Sequence, residues 1–231
     1  MATATTNNFN LDLGDLIEEA FERAGLELRT GYDYRTARRS LDLMMLEWQN
    51  RGLNLWTIEG PTEATVTAGT ATYTLDADTV DLLEHHLRLN DNSVSSQTDY
   101  NLRRISTTSY SNIPNKLSEG RPLQIFIERG VSTFQYTFWP VPDDVETYTF
   151  VYFRMRQIYD SGTPASNNMD VPKLFLPALA SGLAFYVAMK QPEAANRLPM
   201  LQSEYERQWE LAAEENRVKA PFRFVPWQSY I

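Results

Sequence analysis

The sequence contains no cysteine and only two histidines. The first absence removes disulfides, thiolate nucleophiles and zinc-thiolate sites together, so nothing in the chain calls for an oxidising compartment. The histidines, His85 and His86, are adjacent, and adjacent side chains leave a helix or a strand in different directions. They lack the i, i+4 spacing of a helical metal pair, so one half-buried and one exposed imidazole is expected. Long hydrophobic runs are also missing. The longest uncharged stretch, residues 174–189, contains Pro177, Ser181 and Gly182. It falls short of the roughly 20 residues that span a bilayer and reads as a buried helix, not a membrane one. The opening segment has neither the basic nor the apolar part of a secretory signal, so export by that route is not expected.

Phosphate-binding glycine patterns are absent: there is no Gly-x-x-x-x-Gly-Lys and no Gly-x-Gly-x-x-Gly. Gly130-Val131-Ser132-Thr133-Phe134 begins like a nucleophile elbow but lacks the second glycine. It falls in an expected turn between strands, whereas the elbow is a strand-to-helix turn, so a serine hydrolase is not indicated. Positive charge is scarce as well. With 21 Lys and Arg against 30 Asp and Glu, the formal charge of -9 opposes binding to phosphate backbones. Sequence neighbours such as Glu18/Glu19, Asp143/Asp144 and Glu214/Glu215 leave open a glycosidase-like carboxylate pair. Solvated helix faces and a turn account for them more simply.

What is present begins with helical periodicity. Leu13, Leu16, Ile17, Ala20, Phe21 and Ala24 form an i, i+3, i+4 stripe, which Asn10 or Asp12 can cap and Gly25 can end. Ala37, Leu41, Met44, Met45 and Trp48 repeat the stripe before Gly52, and the short link between them predicts an antiparallel helix hairpin. After Trp56 the period becomes that of strands: Ala64 and Val66, then Ala71, Tyr73 and Leu75 across a hairpin turn at Ala68-Gly69-Thr70. Val80 to Leu89 fits either helix or strand. Residues 90–120 read as a long, partly ordered excursion. Strands follow at 123–128, at 134–138 and at 148–155. Asp170 with Pro172 then opens a helix striped by Leu176, Leu179, Leu183 and Val187. Pro199 opens the last, with Leu201, Tyr205, Trp209 and Ala212.

The fold class expected is therefore α+β: a four-helix bundle of two N-terminal and two C-terminal helices with an inserted, mostly antiparallel β domain and an extended tail. The division falls at 1–57, 58–168, 169–217 and 218–231. The tail is distinctive. From residue 217 onward it carries three basic side chains and no acidic ones, leaving the body at 18 minus 30, or -12. A basic segment on an acidic body suits an acidic neighbour, another copy included. Its aromatics, arginine and rotation-limiting prolines are residue types that dock well on partners. Arg217, Lys219, Pro221, Phe222, Arg223, Phe224, Val225, Pro226, Trp227, Tyr230 and Ile231 are accordingly the candidate partner-binding residues. No catalytic, metal or cofactor site is expected.

Several segments together resemble a known family. They are Gly52-Leu53-Asn54-Leu55-Trp56, Tyr73-Thr74-Leu75 leading to Val80-Asp81-Leu82-Leu83-Glu84, Ile113-Pro114 with Lys116 and Gly120-Arg121-Pro122, Trp139-Pro140-Val141-Pro142, and Asn168-Met169-Asp170-Val171-Pro172 before the last helices. In this order they resemble the head-to-tail adaptor (connector, or tail accessory) proteins of tailed bacteriophages, especially short-tailed ones. The resemblance implies a non-enzymatic structural protein of the virion, made in the host cytoplasm. It implies a ring, twelve-fold in the family, between the portal protein and the tail nozzle protein, with neighbouring copies as partners and the C-terminal segment reaching the portal. Genomic DNA would pass without specific binding, and no membrane is involved. The alternatives kept open are a tail-associated cell-wall glycosidase and a glycan- or receptor-binding tail module built on the aromatic β block.

Overall fold

The computed structural model describes residue 9 and residues 11–29, 31–52, 55–91, 93–131, 133–160 and 169–217. The chain is α+β and divides into two compact units, one from residues 1–55 and 158–231 and the other from Trp56–Gln157.

Among its described residues the first unit holds four long helices: α1 (Leu13–Ala24), α2 (Gly31–Asn50), α4 (Leu176–Ala188) and α5 (Leu198–Glu215). Helix α4 is the common partner. Ten of its 13 residues are buried, on every side of the helix, as expected of an element without a polar face. α1 lays its entire stripe against it, and α2 and α5 pack on its other sides. α1 and α2 meet each other only briefly, so the short link between them does not make the helix hairpin that sequence suggested. Both pack on α4 instead.

The helix ends show which local signals held. Asp12 caps α1, its carboxylate accepting from the Asp15 N–H at 2.8 Å, and Gly25 closes the helix in the left-handed region at φ 72°. A Cβ on Gly25 would also sit 2.5 Å from the Arg197 guanidinium. Asp170 does not cap α4. Its carboxylate accepts from the backbone N–H of Tyr159 at 2.9 Å, while a single 3-10 turn at Lys173–Phe175 leads into the helix and Pro177 occupies its first turn, where a missing N–H costs nothing.

The second unit is a pair of four-stranded sheets. One has the order β1 (Ile58–Val66), β8 (Tyr148–Arg156), β3 (Thr79–Leu89), β4 (Thr98–Asn101). The other runs β2 (Thr72–Leu75), β7 (Phe134–Trp139), β6 (Gln124–Arg129), β5 (Arg103–Ile105). Between the named strands the pairings are antiparallel except β5 with β6. The two sheets share one core in which Tyr136, Phe138, Phe150 and Tyr152 form a run of ring contacts 4.7–5.3 Å apart. β1 and β8 begin and end the unit side by side, Ile58 opposite Met155.

Three local expectations change here. Residues 67–71 do not form a hairpin: β1 pairs with β8 and β2 with β7, so the turn carries the chain from one sheet to the other. The ambiguous segment at 80–89 is strand, its Leu82, Leu87 and Leu89 turned into the shared core. Within the 90–120 excursion lie β4, β5 and the short helix α3 (Thr107–Ser111), capped by Ser106 and stacked through Tyr110 on Phe126 at 4.5 Å.

Close approach at α4 depends on Gly182. A Cβ there would lie 2.7 Å from the Tyr205 ring and would collide with the Met44 sulfur. Alanine gains about 1 kcal/mol of helix propensity over glycine, whereas overpacking costs about 1–3 kcal/mol. Since the Tyr205 ring is pinned by Trp48, the clash wins. Gly182→Ala is expected to lower the denaturation midpoint, while Gly31→Ala, whose Cβ meets nothing within 4 Å, leaves it unchanged or raises it; chemical denaturation of both variants checks the contrast.

Candidate functional site

The candidate site is the surface of the helical unit around α5 and the root of the tail. α5 is held in place by a polar clasp. Arg51, at the end of α2, donates to both carboxylate oxygens of Glu206 at 2.8 and 2.9 Å and to Glu47 at 2.5 and 2.8 Å. Its guanidinium carbon lies 4.9 Å from the Tyr205 ring centre and 5.1 Å from that of Trp209. The Trp48 indole donates to the Tyr205 hydroxyl at 2.8 Å, and the Tyr186 hydroxyl of α4 donates to Glu47 at 2.5 Å. Three helices are thus joined by one connected set of charge-assisted bonds.

The electrostatics agree. Hydrogen bonding to Glu206 raises the Arg51 pKa above its ordinary value against the opposing effect of burial, and the same bond lowers that of Glu206. Burial, aided by Glu47, pushes the Tyr186 phenol up to about 12. Beyond the clasp, hydrogen bonds from Arg207 and then Gln208 hold the Glu204 carboxyl down to about 2.

Past the clasp, α5 carries a shallow notch of about 370 Å³ lined by Trp209, Glu210, Ala213, Glu214 and Arg217. It has an aromatic floor and an acidic rim. Arg217, the first of the predicted partner-binding residues, donates to the Glu214 carbonyl at 2.6 Å. A cation there answers the unsatisfied carbonyls of a helix C-terminus. The remaining ten, Lys219, Pro221, Phe222, Arg223, Phe224, Val225, Pro226, Trp227, Tyr230 and Ile231, lie outside the described residues.

The other sequence candidates are scattered. Glu18 and Glu19 sit on α1, where Glu19 pairs with Arg23 at 2.6 Å. Asp143 lies in the turn before β8 and accepts from the Tyr148 hydroxyl at 2.7 Å. Glu214 is on the notch. Among the described residues no group of three or more His, Asp and Glu could hold a metal ion. Between β6 and β7 the Gly130 N–H donates to the Thr133 carbonyl at 2.8 Å, and Ser132 lies outside the described residues.

Both histidines are half-buried, where one exposed imidazole was expected. A register shift between Leu82 and His85 turns His85 to the core face, 6.3 Å from Phe150, and burial there lowers its pKa, with Arg104 adding to the effect. His86 faces the other way, with its Nε2 3.2 Å from Asp99, which also binds Arg88.

What the sequence did not single out is the clasp and the outer faces of α2 and α5. Arg51 follows Glu47 at the i, i+4 spacing that supports ion pairs, a signal that was present but not specific. The pairing with Glu206 needs the tertiary structure.

Among the described residues the polar clusters are ion pairs and helix joints. The SU10 adaptor protein family model matches residues 11–224, and the chain belongs to that family of phage adaptors. Its role is that of a phage adaptor, a structural component of the virion. No curated protein matches the chain. No helix among the described residues is long and apolar enough to cross a membrane.

The clasp makes a pH-dependent prediction. Arg51→Met removes several bonds to charged partners, each net worth about 1.5–3 kcal/mol at most where exposed groups take part, so a loss of about 2 kcal/mol is expected at pH 7. The folded pKa of Glu206 is depressed below its ordinary 4.5. Its contribution is therefore present above that value and lost as pH falls through the folded pKa. The gap between wild type and Arg51→Met, measured by urea denaturation, should be full at pH 6–7 and narrow below about 4.5.

Proposed function

We propose that the protein is the head-to-tail adaptor of a phage virion. Copies form a ring, twelve-fold as the resemblance implies, between the portal protein and the tail nozzle, sealing the head and forming part of the DNA channel. The observation that carries this reading is the extent of the family match: it runs through both units and on to residue 224, into the basic aromatic segment. The four long helices act as a bundle, the β unit is an inserted domain, and residues 217–231 dock on the portal or on a neighbouring subunit.

Charge supports the same reading. A net -9 repeated around a ring would repel DNA phosphates and let the duplex slide, whereas a basic lumen would retain it. The basic tail supplies adhesion away from the channel. No observation favours the glycosidase or the glycan-binding module over this role.

Light scattering of the purified protein, alone and with its portal, tests the proposal. A monomer that becomes a multi-copy complex only with the portal is expected. Removal of residues 218–231 should leave a folded protein that no longer joins the portal. Attachment of that truncation at wild-type affinity would remove the tail from the docking role.

A further inference from the structure

Two outer faces of the helical unit are complementary to each other. On α2, Arg35, Arg39, Leu43 and Leu46 fall on one stripe, opposite the buried Leu41, Met44 and Trp48. Leu43 is 53% and Leu46 47% exposed. The ammonium of Lys190, bonded to the Thr36 carbonyl and the Ser40 hydroxyl, lies close enough to Arg39 to feel its charge, so this face is basic at one end and apolar at the other. On α5, Glu210, Leu211 and Glu214 lie off the stripe of the buried Leu201, Tyr205 and Ala212, with Leu211 54% exposed. Arg39 and Glu210 take part in no ion pair among the described residues.

A single exposed leucine is ordinary. Three of them on two helices specify a geometry: one stripe is flanked by Arg35 and Arg39, and the other by Glu210 and Glu214, with the intervening Arg207 neutralised by its pairing with Glu204 at 2.7 Å. Placing α2 parallel to α2 of a second copy sets arginine against arginine, an antiparallel α2 pair leaves the arginines opposite leucines without acidic partners, and placing α5 against α5 sets glutamate against glutamate. Only the unlike pairing matches both charge and apolar surface, and like-charge juxtaposition is strongly disfavoured at interfaces. We infer that the α2 face of one copy docks on the α5 face of the next, with the leucines at the centre and the Arg35/Arg39 guanidinium groups against Glu210 and Glu214. Such a contact is heterologous, leaving each copy with one free face of each kind, and heterologous contacts close into rings when the rotation permits. The inference rests on the ring proposed above and assigns its subunit contact. Exposed pairs of this sort are individually weak and screened by salt, which accounts for assembly on a portal template.

The test uses two full-length variants, Arg35→Glu/Arg39→Glu and Glu210→Lys/Glu214→Lys, each shown to be folded by circular dichroism and mixed with the portal. The first carries two acidic faces and the second two basic ones. Each alone should lose at least tenfold in the fraction assembled by light scattering, and an equimolar mixture should recover it, because unlike copies can alternate. Because the chain has no cysteine, a Leu43→Cys/Leu211→Cys variant gives a second reading: oxidation on the portal should produce linked ladders longer than two copies. If the wild type assembles while either charge variant does so equally well, or while the mixture stays unassembled, the contact is wrong and the ring stands. If the wild type never forms a multi-copy complex, the ring falls and takes this contact with it.

Discussion

Helix α4 has no side to give to water, and the helical unit is organised by that fact. Ten buried positions in 13 residues, among them Ala178, Ala180, Ser181, Gly182, Ala184 and Ala188, make a slender apolar rod against which larger side chains can close. α1 supplies leucines, isoleucine and Phe21; α2 supplies two methionines and Trp48; α5 supplies Tyr205. The bulk comes from the surrounding helices and the small residues from the centre, the alternation that close packing favours. Beside this rod the Arg51 clasp links α2 to α5 through one guanidinium shared by Glu47 and Glu206.

The strength of the α4 signal explains what was legible in the sequence. An all-apolar run with small residues reads as a buried helix without any tertiary knowledge, and the stripes of α1, α2 and α5 predict which of their faces turn inward. Caps that depend on nearest neighbours, Asp12 and Gly25, were equally readable. Asp170 was not, because its carboxylate found a backbone donor 11 residues away in place of the helix start. Partnership was the harder inference. Loop length suggested that α1 and α2 pair, but both pack on α4 instead.

The β unit shows the same limit. Alternation identified β1, β2 and β7, and a run apolar on both faces identified β8, yet neither pattern says which sheet a strand joins. The turn at 67–71 has the residues of a hairpin and works as a passage between sheets. His85 owes its inward position to one extra residue in β3, a register effect that hydrophobic pattern alone cannot reveal. Of the proposed docking residues, composition marked the tail, whereas the faces of α2 and α5 needed a known core: an exposed leucine has meaning only once the buried side of its helix is known.

The pairing of Ile58 with Met155 bears on how the chain folds. The two halves of the helical unit are separated in sequence by roughly a hundred residues, and bringing them together through an unstructured connection of that length would be entropically costly. Once β1 lies beside β8, the points where the chain enters and leaves the β unit are neighbours. The effective connection shrinks to a few residues, a saving of about 2 kcal/mol in closure entropy for a tenfold shortening. The inserted sheets therefore act as a staple for a helical core whose halves would otherwise have to find each other across the whole chain.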